Sequence, residues 1–212
     1  YLLNNKIKKN SKYKMKLKEC AAPEDYEEAI PPVKKFFTAL DDTVQVFVVG
    51  GASSTNYVLG ILEQIRDKKL ELFYVQPDTE LLTGIPKLQE STAFGVLQEY
   101  ARSGLFESIT LMSNLNIEEM SGDIPIKTYF DVINEAIFSA THYINYFTHT
   151  EPEIGNVSRP GPLNRIRTTA RLNMKTLEEN WLFTLDSPRE LCYYLCINNE
   201  KLATQGGLHK KI

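Results

Sequence analysis

The chain has 212 residues, 42% hydrophobic and 24% charged, the balance of a folded domain with a core of its own, which excludes a wholly disordered or fibrous chain. No apolar run is long enough to span a bilayer, and a net charge of −3 argues against the uniformly basic footprint of a nucleic-acid binder. The charge is uneven, however: Lys6, Lys8, Lys9, Lys12, Lys14, Lys16 and Lys18 crowd the first 18 residues with no acid among them, leaving about −10 on the rest.

Residues 1–24 are therefore read as a basic N-terminal tail. Charge runs of this kind are most often solvated ends; as a contact, this one suits an acidic partner. It has neither the apolar stretch nor the small-residue cleavage site of a signal peptide. Three cysteines make a poor disulfide framework, and Cys192 and Cys196 lack a second pair for zinc, so reduced thiols, a cytoplasmic location and no metal are expected.

Residues 25–126 read as an α/β domain. Ile30, Val33, Phe36, Phe37 and Leu40 have helical spacing, with Pro31 and Pro32 confined to a first turn. Residues 44–49 (VQVFVV) form a run suited to a strand covered on both faces, ending at Gly50-Gly51. Val58, Ile61, Leu62 and Ile65 mark an amphipathic helix to about Lys69. Residues 70–75 (LELFYV) are a second strand, residues 88–103 a helix closed by Gly104, and residues 106–112 a third strand. This alternation predicts a mostly parallel, Rossmann-like sheet.

In residues 127–148, Phe130, Ile133, Ile137, Ala140, Ile144 and Phe147 repeat in steps of three and four, with Tyr129, Val132, Ala136 and Tyr143 on the adjacent face. A helix so apolar is expected to be buried on more than one side. After the break at 155–161 (GNVSRPG), residues 163–174 read as helix, and 181–185 and 191–197 as strands. Residues 149–212 are thus expected to hold the start of a second α+β subdomain.

In this order, the phrases VFVVGGASSTNYVLGILEQIRDK, LELFYVQPDTELLTGIPKLQESTAFGVLQEYARSGLFESITLMSN, IPIKTYFDVINEAIFSATHYINYF and GPLNRIRTTARLNM resemble the tubulin/FtsZ superfamily, from about residue 27 to 185. The resemblance implies a subunit that self-assembles head to tail and binds GTP or GDP with Mg2+. Its phosphate loop would be Gly50, Gly51, Ser53, Ser54 and Thr55, where backbone amides at a helix start meet an anion. Thr92 is carried over as a further nucleotide contact, Tyr129 (or Phe130) as the base-stacking ring and Asn134 as the donor to the base edge.

The later glycines of the family's run are replaced here by Thr55 and by Asn56 or Tyr57, and Ser, Thr and Asn capping their own helix explain the loop equally well without a ligand. Only 43 residues precede the first strand, too few for the three strand–helix units that the family has there. The resemblance places an inter-subunit loop at Gly161, Asn164, Arg165 and Arg167, its arginines suited to phosphate or an acidic surface. Its acid positions read Ile166 and Thr169, with no Asp or Glu between Glu153 and Glu178, so no catalytic residue is assigned and GTPase activity is left open. Three readings remain at this point: a nucleotide-dependent filament subunit, a nucleotide-free structural or scaffold protein such as a virion component, and an α/β enzyme with Asp78 or Asp123 as base.

Overall fold

A computed structural model describes residues 1–4, 6, 12–152 and 159–207. Two short strands, β1 (Leu2–Asn4) and β2 (Lys14–Lys16), pair in parallel, and the one-turn helix α1 (Asp25–Glu28) follows. Leu17, Tyr26 and Tyr57 close a small core beneath them, while Lys14, Lys16 and Lys18 stay exposed; Lys8 and Lys9 lie outside the described residues. The helical spacing at 30–40 yields only turns.

The apolar runs then build one parallel sheet. Its strands are β3 (Thr43–Val49), β4 (Lys69–Gln76), β5 (Ser108–Ser113) and β6 (Ile166–Thr168), hydrogen-bonded in that order. A five-residue 3-10 turn (Ser53–Tyr57) and α2 (Val58–Gln64) cross from β3 to β4, and α3 (Gly84–Ser103) crosses from β4 to β5. Gly104 ends α3 at φ 85°, a conformation that glycine adopts without the clash a Cβ would bring. Two helices, α4 (Asn114–Ser121) and α5 (Tyr129–His149), lead away from β5. The fold is mixed α/β on a four-stranded parallel sheet.

Each sheet face has its own core. On one, Leu70, Leu72, Tyr74, Ile109 and Leu111 pack under Leu62 of α2, Ile65 just beyond it, and Leu97 and Ala101 of α3. On the other, Phe73 and Met112 meet Ile117 of α4, Ile133 of α5 and Leu182.

Further expectations are corrected. Residues 163–174 are not helical: they contribute β6 and then β7 (Ala170–Leu172), which pairs antiparallel with β8 (Glu179–Trp181). The β-branched Ile166 and Thr168 lie in register with Ile109 and Leu111, and this long-range pairing outweighs a weak helical pattern. The central helix α5 buries one face, holding Ile133 at 4% exposure, while Phe130 and Phe138 on its flank are 75% and 67% exposed. Beyond β8, residues 191–197 form no ladder strand; the last element among the described residues is α6 (Asn199–Thr204).

Candidate functional site

Ligands of parallel α/β sheets sit at the carboxyl ends of the strands, and several of the candidate residues gather there. Gly50 and Gly51 leave β3 in a turn that main-chain geometry demands. A Cβ on Gly50 would lie 2.5 Å from the Tyr74 hydroxyl and 2.7 Å from Pro77 Cδ, and Gly51 sits at φ +69° with Pro77 and Leu82 closing over it. The Tyr74 hydroxyl donates to Glu90 Oε1 at 3.0 Å, a buried pair directly beneath the turn. Burial, and then the Glu90 carboxylate, push the Tyr74 phenol well above the ordinary tyrosine range.

The side chains of the loop are already engaged. Thr55 is buried and donates its hydroxyl to the Val49 carbonyl, and Ser53 donates to Glu19 Oε1 at 3.4 Å. Tyr57 donates to the Lys18 carbonyl at 2.8 Å and lies 3.5 Å from Cys20 Sγ; burial and then that thiol raise its phenol to about 12. The 3-10 turn is thus tied to residues 18–20. Ser54 is half-buried beside it.

Tyr129 stands at the start of α5, its hydroxyl donating to Glu118 Oε2 at 3.2 Å. Burial, that bond and the nearby Asp78 carboxylate raise its pKa. Phe130 meets Tyr129 edge-on and is exposed, as are Asn134 on α5 and Thr92 on α3. The charged groups facing these candidates are therefore carboxylates: Glu19 at Ser53, Asp78 and Glu118 at Tyr129, and Glu90 under Gly50. A nucleoside triphosphate needs cationic or amide donors; with two of the three loop hydroxyls engaged and acids at hand, these side chains do not fit one, which leaves the backbone amides of the turn as the donors.

The second group of candidates lies at the opposite, amino-terminal end of the sheet, separated by the length of β5, about 20 Å at the usual rise per residue. Glu190 organises it: Oε2 accepts from the Gly161 amide at 3.0 Å and from Asn164 Nδ2 at 2.6 Å. Those two donors, and then Arg167, hold the Glu190 carboxyl below the ordinary range. Arg165 donates to the Phe106 carbonyl at 2.8 Å, beside Gly104, and Arg167 Nε donates to the Asn164 carbonyl at 2.8 Å. Arg167 is half-buried, which lowers its pKa against the pull of Glu71, Tyr194, Glu107 and Glu190. Leu163, at the tip, is 86% exposed. Ile166, one of the positions expected to be acidic, packs against the core, and Thr169 follows β6. Glu190 is the residue that sequence reasoning missed: it lies 26 positions from Asn164 with no local pattern between them.

Among the described residues, no helix is long and apolar enough to cross a membrane and no cluster of His, Cys, Asp and Glu could hold a metal ion. Cys20, Cys192 and Cys196 are free thiols.

No protein-family model matches the chain, and no curated protein matches it. Among solved structures it is similar to CetZ from Methanosaeta thermophila, at 15% identity and a TM-score of 0.47, over 72% of this chain and 43% of that one. The chain thus spans less than half the length of that structure, and a likeness of this degree transfers no residue role.

Proposed function

We propose that this chain is a tubulin/FtsZ-like subunit that assembles head to tail through the two ends of its sheet, with the Gly50 turn serving as a structural corner and not as a phosphate cradle. The observation that supports this most is placement. The loop carrying Gly161, Leu163 and Asn164 and the turn at Gly50 lie at opposite ends of the same parallel strands, so one copy presents the first where the next presents the second. Such an end-to-end contact is heterologous and extends into a filament unless its rotation closes a ring. The exposed Leu163 and the rigid seat that Glu190 gives the loop suit a projecting contact. The engaged hydroxyls of Ser53 and Thr55 and the surrounding carboxylates favour the nucleotide-free form of the proposal.

Sedimentation with and without GTP and Mg2+ tests both halves. The expected result is a pellet that grows with protein concentration irrespective of nucleotide and is lost in Leu163→Asp, a change at a solvent-exposed tip that leaves the melting temperature in place. A melting temperature raised by several degrees with GTP, as a ligand at 100 times its Kd gives through about 2.7 kcal/mol, would overturn the nucleotide-free half. An unaltered pellet in Leu163→Asp would remove the loop from the contact.

A further inference from the structure

We propose that residues 190–194 form a strap that holds the loop at 161–164 in its projecting form, with Tyr194 as the positioning residue that fixes Glu190 from the end of α5. The inference rests on the reading above that this loop is the end-to-end contact, and it says what sets the loop's shape.

Residues 190–198 belong to no helix and no strand, yet the side chains from 191 to 195 keep the two-residue period of extended chain. Leu191, Tyr193 and Leu195 are exposed, and Cys192 and Tyr194 between them are half-buried. The row at 190, 192 and 194 runs past one side chain of β6, because Arg167 lies within electrostatic reach of all three. Within the row each residue meets the next. The Cys192 thiol donates to Glu190 Oε1 at 3.9 Å and shares a hydrogen bond with Tyr194. Burial, and then the Glu190 charge, push the thiol's pKa up, so it stays a donor.

The chain is anchored on either side of Glu190. Tyr194 stacks on Phe147 in the last turn of α5, with ring centroids 4.6 Å apart and planes at 17°. The neighbouring Tyr193 hydroxyl donates to Glu179 of β8. Upstream, Leu185 packs against the core under α2 and α3. Glu190 thus lies five positions from one anchor and four from the other.

The carboxylate of Glu190 is itself in solvent, where water competes for both oxygens and a hydrogen bond has a small net worth. It keeps the Gly161 amide and the Asn164 carboxamide only if its backbone is already ordered, because every free residue of the tether costs conformational entropy when the bonds form. Leu185 alone leaves Glu190 on a tether open at its far end. The Tyr194–Phe147 stack closes that end, and so ties the seat of the loop to α5.

Hydrogen exchange at the Gly161 amide, in the unassembled chain, reads the strap directly. Tyr194→Ala should quicken it roughly tenfold, the worth of ordering about one backbone residue, while the amides of β4 keep their rates. Tyr194→Phe keeps the stacked ring and should stay near the parent. In a Glu190→Ala background, where exchange is already fast, Tyr194→Ala should add nothing, since its effect passes through that carboxylate. If Tyr194→Ala fails to fold, Phe147→Leu removes the same stack from the side of α5 and should give the same result. An unchanged Gly161 rate on loss of the stack, a rate in Tyr194→Phe equal to that in Tyr194→Ala, or an equal gain in the Glu190→Ala background would each overturn the strap. Sedimentation keeps the two readings apart. Quicker exchange with a weakened pellet in Tyr194→Ala supports both, whereas quicker exchange with an unaltered pellet supports the strap and sinks the end-to-end role of the loop.

Discussion

The two faces of the sheet are built from the same strands and end differently. Under α2 and α3, Leu72, Tyr74, Ile109 and Leu111 are at most 2% exposed. Under α5 the strand residues Phe73 and Met112 are just as buried, yet the covering helix leaves Phe130, Phe138, Tyr143 and Tyr146 in solvent. Some of these rings pack on neighbours: Phe138 stacks on His142 and Tyr143 on Phe147, which in turn stacks on Tyr194 at 4.6 Å. The difference teaches that burial belongs to pairs of surfaces. A helix crossed by one sheet hides one stripe, however many apolar residues its sequence carries.

Paired truncations test that contrast most strongly. Leu72→Ala removes a fully buried side chain and should cost about 3 kcal/mol of unfolding free energy, whereas Phe138→Ala should cost less than about 0.5 kcal/mol. Urea unfolding of the two variants reads both, and comparable losses would mean that Phe138 is covered in solution. Next in size comes the corner where the first face meets the Gly50 turn. Gly50→Ala forces a methyl against Tyr74 and Pro77, and should destabilise by about 2 kcal/mol with or without nucleotide. Stability equal to that of the parent would show that the turn relaxes freely and would reopen the corner as a ligand site.

The smallest effect is a pH dependence at the other end of the sheet. Because the Gly161 amide and Asn164 hold the folded-state pKa of Glu190 below its unfolded value near 4.3, the stability it contributes is complete above that value. It is lost as pH falls through the lower, folded-state pKa. Hydrogen exchange at the Gly161 amide should therefore quicken in that acid window in the parent, and be nearly pH-independent, beyond the chemical rate, in Glu190→Gln, whose amide oxygen accepts but does not titrate. The same acid response in the variant would show that another group holds the loop.

Much of the α/β half was legible from pattern alone. The runs at 44–49, 70–75 and 106–112 became strands within a residue or two, because few other segments are so apolar, although β3 is covered on one face only and leaves Thr43, Gln45, Phe47 and Val49 exposed on the other. Gly104 marked the end of α3, since a residue at positive φ favours glycine. The candidate sites were less legible. Gly50 and Gly51 read as a phosphate loop, and only their neighbours show that the glycines make room for Tyr74, Pro77 and Leu82. Likewise Arg165 and Arg167 read as free cations, and both reach main-chain carbonyls.

The residues by themselves determined the parallel α/β class, the position of its crossovers and the unusual apolarity of α5, because these follow from local periodicity and from the few residues that tolerate a given backbone. Only the tertiary structure decided that β6 joins the sheet, that Glu190 seats the Gly161 loop, and which face of α5 is hidden. Each of these is a contact between segments far apart in the chain. Three-residue strands and single carboxylates carry too little local pattern to announce such a partner, and the energy that settles them appears only when the two surfaces meet.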